Sequence, residues 1–256
     1  MKHYLYFVVG LLALFFMPME GRSQPAVPVC SNINVLDSFD APSEFSAGSV
    51  HGIAFDGQNL WGACYGCGYF YKLGFDSSGD LIAVDSIEAP ENNPTGITFV
   101  GKLLFAGDDI TRIISQIKTT GKKAGTVQKW FYAPGYPEED CVGLTFAKGY
   151  LYNSDFVWSE DGGAIHKITL NGDLDTTFFF PEWDCPEGLA FDGEFIWLAE
   201  LCEHRIYKLN VDDLTPVCYF ESPDYWPIGL TFDTNYLWLT TQFEQSFHKI
   251  DIGVGQ

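Results

Sequence analysis

Residues 188–209 read GLAFDGEFIWLAELCEHRIYKL, and the fold is decided by this stretch. Gly188-Leu189-Ala190-Phe191 reads as a half-buried strand, and Asp192-Gly193 favours a tight hairpin because both positions accept positive φ. Ile196-Trp197 then opens a second strand and Tyr207-Lys208-Leu209 lies in a third. The first element recurs as Gly52-Ile53-Ala54-Phe55, Gly96-Ile97-Thr98-Phe99, Gly143-Leu144-Thr145-Phe146 and Gly229-Leu230-Thr231-Phe232, at intervals of 44, 47, 45 and 41 residues along the chain. The second recurs as Leu60-Trp61, Leu104-Phe105, Leu151-Tyr152 and Leu237-Trp238. The third returns as Tyr71-Lys72-Leu73, His166-Lys167-Ile168 and His248-Lys249-Ile250, while the second unit departs from it around Ile113 to Ile117. A proline, which cannot donate to a ladder, marks the end of a fourth strand at Pro90, Pro134, Pro181 and Pro223.

Four strands per unit at this period predict an all-β chain, a five-bladed β-propeller with four antiparallel strands per blade. The last unit, Gly229 to Asp251, stops at its third strand. Ser38-Phe39-Asp40-Ala41-Pro42 copies Ser86-Ile87-Glu88-Ala89-Pro90, so Ile33 to Phe39 should pair onto the last blade and close the ring, removing the exposed edges. The repeated glycine has a structural reading, since five inner strands crowd around a narrow axis.

The chain opens with Met1-Lys2-His3, an apolar run from Tyr4 to Phe16, and a polar stretch from Pro18 to Gln24. This pattern predicts a signal peptide over residues 1–23 and a single domain over 24–256, secreted or periplasmic. The run is shorter than the roughly 20 residues a membrane span needs, and no membrane partner is expected. Beyond residue 23 the chain holds 12 basic and 33 acidic residues. That balance disfavours nucleic acid and anionic lipid and favours cations or basic ligands. Export makes disulfides the expected state of Cys30, Cys64, Cys67, Cys141, Cys185, Cys202 and Cys218. The odd number leaves one thiol unpaired, or joined to a disulfide-linked partner of an otherwise monomeric protein. Cys141 and Cys185 precede inner strands of adjacent blades and form the first candidate pair; Cys64 and Cys67 form the second, as a disulfide in preference to a zinc site.

In an up-and-down blade, the lead into strand one and the loop between strands two and three emerge on one face. His51, Thr95, Val142, Glu187 and Ile228 precede the repeat glycines; Cys64, Asp108, Asp155, Glu200 and Thr241 end the second strands. Asp108, Asp155, Glu187 and Glu200, with Asp109 and Asp140 nearby, are therefore expected around one channel mouth. Convergent carboxylates repel, and a hard divalent cation such as Ca2+ would relieve that repulsion. Acids at the second-strand position also serve as caps for backbone donors of the neighbouring loop. His51 is the candidate base at this mouth, and His166 and His248 stand in a column that tyrosine fills elsewhere. Tyr65, Tyr69, Trp158, Trp183 and Trp226, with Tyr136, Phe156 and Tyr225, fall in the same loops and suit a glycan, peptide or other small ligand, because a ring offers apolar area with a wet rim.

The Gly-(Ile/Leu)-(Ala/Thr)-Phe strands, the Leu-Trp strands and Arg205-Ile206-Tyr207-Lys208-Leu209 resemble blades of NHL-type and gluconolactonase-like propellers across the chain beyond residue 23. For gluconolactonase-like enzymes the resemblance implies a channel metal held by acidic and amide groups, with Glu187, Asn153 and Asp155 as the nearest counterparts. Five blades, with Val142-Gly143-Leu144-Thr145-Phe146 and Leu151-Tyr152-Asn153-Ser154-Asp155, are similar to the glutamine cyclotransferases of plants and bacteria. That family's Tyr-Glu-Ser-Thr-Gly and Asn-Glu-Leu-Glu motifs are replaced here by Trp61-Gly62-Ala63-Cys64 and Pro186-Glu187-Gly188-Leu189-Ala190. The expected function is a ligand-binding module acting through the loop face; the alternatives are a metal-dependent hydrolase or lactonase and a divergent cyclotransferase.

Overall fold

The computed structural model describes residues 27–135, 140–155, 162–180 and 183–253. Blade one comprises β2 (Ser49–Phe55), β3 (Leu60–Tyr65), β4 (Tyr69–Phe75) and β5 (Leu81–Glu88); blade two comprises β6 (Pro94–Val100), β7 (Leu103–Asp108), β8 (Ile113–Lys118) and β9 (Val127–Tyr132). Blade three holds β10 (Leu144–Ala147), β11 (Tyr150–Asp155), β12 (Gly163–Ile168) and β13 (Leu174–Phe180). Blade four holds β14 (Pro186–Phe191), β15 (Phe195–Glu200), β16 (Arg205–Asn210) and β17 (Pro216–Glu221). The fifth blade takes β18 (Pro227–Phe232), β19 (Leu237–Thr241) and β20 (Ser246–Asp251) from the end of the chain and β1 (Asn34–Asp40) from its beginning. The chain is the predicted five-bladed propeller of four antiparallel strands per blade.

The repeat residues have separate physical duties. A Cβ on each repeat glycine would strike the backbone of the neighbouring inner strand: Gly52 against the Thr95 carbonyl at 2.1 Å, Gly143 against that of Glu187 at 2.0 Å, Gly188 against that of Ile228 at 2.4 Å and Gly229 against that of His51 at 2.2 Å. These glycines let the five inner strands approach the axis. The turn aspartates do more than reverse the chain. Asp56, Asp192 and Asp233 accept the indole N–H of Trp61, Trp197 and Trp238 at 2.8, 2.8 and 2.7 Å. Their other oxygens cap the turn N–H groups. Opposite each tryptophan stands the third-strand lysine, Lys72, Lys208 or Lys249, with its ammonium 5.4 to 6.0 Å from the ring centroid.

The ring closes where expected, β1 pairing with β20 from Asn34↔Asp251 to Asp40↔Ser246 through one irregularity at Val35/Asp37. A second clasp was not legible beforehand. Cys30 is bonded to Cys218 on the outer strand of blade four, beside a parallel Val29–Tyr219 bridge. The N-terminal segment is thereby fastened to two blades at once.

Cys64 pairs with Cys67. The expected Cys141–Cys185 pair does not form: Cys185 pairs with Cys202, and Cys141 is a buried free thiol. Cys141 is packed inward, its Sγ 3.5 Å from Asn153 Nδ2 and 2.5 Å from where a Cβ on Gly107 would stand. Burial, reinforced by Asp155, pushes its pKa well up. A thiol so enclosed offers no covalent anchor for a partner.

Candidate functional site

The axis is nearly filled. The five inner strands leave a cavity of about 10 Å³, close to one water, lined by His51, Thr95, Val142, Glu187, Ile228 and the repeat glycines. Any ligand larger than water must therefore be met at the mouth, among the loops.

The second-strand acids are built into the scaffold. Asp108 accepts the N–H groups of Asn93, Ile110 and Thr111. Asp155 accepts the Asp140 N–H at 2.7 Å and contacts His166 Nε2 at 3.3 Å. Glu200 accepts the N–H groups of Cys185 and Glu203, although burial pushes its pKa up to about 8. Each acid thus takes a backbone donor fifteen residues upstream, tying the outer end of strand two to the lead into strand one. Asn153 turns its amide toward the Gly143 and Ser154 carbonyls. Among the described residues, no three of the expected carboxylates Asp108, Asp155, Glu187 and Glu200 bring ligand atoms within 4.8 Å of one another, and the amide of the fifth expected ligand, Asn153, is engaged with backbone. Among the described residues, the group whose ligand atoms lie within 4.8 Å of one another is Cys185, Glu200 and Cys202, and its two sulfurs form a disulfide.

A different constellation occupies the mouth. Tyr65 Oη donates to Asp109 Oδ2 at 3.2 Å, and Arg112 bridges Asp109, at 3.9 Å, to Asp140 in a close ion pair. The His51 ring stacks on Tyr65 with centroids 4.7 Å apart, and Gln242 Nε2 lies 3.3 Å from His51 Nε2. Glu187 is 8% exposed, lines the channel, and has no side-chain hydrogen bond among the described residues. Burial raises its pKa well above the usual carboxylate range, and the charges of Asp109, Asp140 and Glu200 push the same way. Burial also raises Asp109 and Asp140 against the pull of Arg112, holds Tyr65 up to about 12, and lowers His51 to about 4. The floor of the mouth thus holds a carboxyl shifted toward its protonated form and an imidazole that is neutral at pH 7, and its rim carries Asp109, Asp140 and the Arg112 guanidinium.

Glu187→Gln isolates the floor. Glu187 has a folded-state pKa above its unfolded value, so its stabilising protonation is fully present below about pH 4.5 and is lost as pH rises toward the folded pKa. The glutamine variant is expected to unfold at higher urea than the parent, by a margin that is near zero at about pH 4.5 and widens as pH rises through neutrality. A margin that is flat or negative as pH rises contradicts a folded-state pKa raised by burial.

Of the expected aromatic residues, Trp226 is 38% exposed and meets Phe243 edge to face at 5.7 Å, beside exposed Tyr225. The Trp226 carbonyl accepts the Gln242 N–H, so this group adjoins His51. Tyr69 is exposed and stacks with Tyr71 at 5.9 Å. Trp183 does not face a ligand: it is 2% exposed, stacked on Phe180 and packed against Tyr207 in the core between blades three and four. Trp158, Phe156 and Tyr136 lie outside the described residues, as do residues 1–26, where the signal peptide is expected. Arg112 and Gln242 were missed; the signal for Arg112 was a basic residue in an acidic chain, within the blade that breaks the repeat.

Neither a family model nor a curated protein sequence matches the chain. Solved structures do. Glutaminyl cyclase of Myxococcus xanthus is similar at TM-score 0.69 and 12% identity, over 87% of this chain and 97% of that one. PQQ-bound aldose sugar dehydrogenase of Streptomyces coelicolor is similar at TM-score 0.53 and 15% identity, over 88% and 99%. Virginiamycin B lyase of Staphylococcus aureus is similar at TM-score 0.51 and 19% identity, over 79% and 66%. All are propellers. At such identities the likeness carries the fold alone.

Proposed function

We propose that the channel mouth binds a ligand bearing a protonated amine or similar cation beside an apolar body, such as the amino terminus of a peptide or an amino sugar. The observation that carries this is the Asp109–Arg112–Asp140 cluster, where two carboxylates face one guanidinium at a partly desolvated rim. An incoming ammonium completes the charge balance, and Tyr65, Trp226 and Phe243 supply apolar walls. The acidic surface draws the same class of ligand.

The test is calorimetric titration with short aromatic peptides, free or N-acetylated at the amino terminus. The free peptides are expected to bind at least about tenfold more tightly, the 1.4 kcal/mol of one modest charged contact. Asp109→Asn with Asp140→Asn should remove the difference. Equal affinity, or no heat from either peptide, defeats the proposal. Calcium at roughly millimolar concentration is the competing occupant; displacement of the peptide by calcium would favour the metal reading.

A second reading is enzymatic, and Glu187 is what favours it: a channel-lining carboxyl whose pKa burial raises, with no side-chain hydrogen bond among the described residues, is a proton donor kept at a cost in stability. With a glutaminyl peptide, attack of the free α-amine on the side-chain amide carbon closes a lactam and expels ammonia, and Glu187 would carry the proton to the departing nitrogen. Ammonia release that is lost in Glu187→Gln supports this reading; peptide binding without release leaves a binding module.

A further inference from the structure

The joint between the first and last strands carries a second constellation, on the outer side of blade five. His248, buried on β20, places Nδ1 2.8 Å from Ser38 Oγ and Nε2 2.9 Å from Asp224 Oδ2. Asp224, as a carboxylate, only accepts, so Nε2 carries the ring proton and the Nδ1 lone pair faces the Ser38 hydroxyl. Ser246 Oγ lies 2.9 Å from the same Nε2 and donates to Asp224 at 3.1 Å, fixing the carboxylate. Ser38 is exposed and opens on a cavity of about 380 Å³ lined also by Phe39, Asp40, Glu244 and Ser246.

The ladder explains the approach and adds one more element. Ala41 N–H donates to Gln245 O at 2.8 Å, so alternation along the antiparallel pair makes Ser38↔His248 a narrow pair without mutual backbone bonds, where side chains come closest. The same alternation turns the N–H groups of Ser38 and Asp40 outward, along the free edge of the outermost strand. Nucleophile, base, orienting acid, cavity and one adjacent backbone donor, the Ser38 N–H, therefore stand together.

We propose that Ser38 is an activated nucleophile of a second, esterolytic site. Its Oγ bonds to the carbonyl carbon of a small carboxylic ester while its proton passes to His248 Nδ1. The outward N–H of Ser38 itself receives the oxyanion. The bond to the alcohol oxygen then breaks as His248 returns the proton to that oxygen, and water, deprotonated by the same nitrogen, releases the acid and restores Ser38. Asp40 and Glu244 beside the cavity select neutral or cationic acyl groups over anionic ones.

Blade three supplies an internal control. His166 lies 3.0 Å from Thr177 Oγ1 and 3.3 Å from Asp155 Oδ2 in the equivalent column, but Asp155 is wholly buried and holds the Asp140 N–H as well. The test uses the full chain, a fluorophosphonate probe and p-nitrophenyl acetate, with peptide mass spectrometry. The probe is expected on Ser38. Ser38→Ala and the partly exposed Asp224→Asn should each lower labelling and ester cleavage at least tenfold, with Thr177→Ala unchanged and all three variants showing the parent's circular dichroism. Absent labelling, labelling elsewhere, or cleavage undiminished in folded Ser38→Ala or Asp224→Asn overturns the proposal.

Discussion

A chain lacking residues 24–42 is expected to lose the monomeric propeller, appearing in light scattering as oligomer or aggregate and in circular dichroism with reduced strand signal. The deletion removes β1 and leaves β20 as an open edge, which natural sheets avoid exposing. It takes away Phe39, packed against Phe75 at 5.1 Å and Trp238 at 6.0 Å, where blade five meets blade one. It also removes Cys30. The Cys30–Cys218 bond spans 188 residues, and closing so long a loop stabilises by about 5 kcal/mol in the chain-entropy account. With ladder bonds worth about 1 kcal/mol each, the loss reaches the whole stability of a typical domain, about 5–15 kcal/mol. A stable monomer after this deletion would refute the closure. Cys30→Ser alone should leave a folded ring of lower melting temperature, separating the covalent clasp from the strand.

Gly143→Ala is expected to destabilise by at least about 3 kcal/mol, measured as a shifted urea midpoint at unchanged slope. The new methyl would lie 2.0 Å from the Glu187 carbonyl and 2.4 Å from Ser154 Oγ. That hydroxyl receives the Gly143 N–H at 2.7 Å and donates to the Glu187 carbonyl, so the methyl cannot enter without parting blades three and four. Gly101→Asn is the control. Its φ of 61° suits asparagine and its Cβ would meet nothing within 4 Å, so it should cost less than about 1 kcal/mol. Equal effects would show that the axis yields more than its spacing implies. Because Glu187 starts at the same contact, Gly143→Ala should also weaken peptide binding at the mouth under conditions where the variant is folded.

The blade count, the strand order and the closure by residues near 33–39 were determined by the sequence alone. Each rests on local periodicity: the glycine must repeat because neighbouring backbones touch, the turn aspartate because it holds an indole, and the spare strand because the last blade lacks one. The Cys64–Cys67 pair, three residues apart, was legible for the same reason.

The site was decided by tertiary structure. Second-strand acids and channel-mouth acids look alike in sequence, yet Asp108, Asp155 and Glu200 turn onto backbone donors while Glu187 faces the channel with no side-chain hydrogen bond among the described residues. That difference depends on loop conformation, which strand periodicity does not encode. Arg112 gains meaning only when blades two and three place Asp109 and Asp140 on either side of it. Cys141 and Cys185 share a column but not a bond, because packing directs the Cys141 sulfur inward and sets Cys202 beside Cys185. Repetition in sequence fixes where backbones go; contacts between blades fix which way side chains point, and the chemistry of this protein is carried by the second.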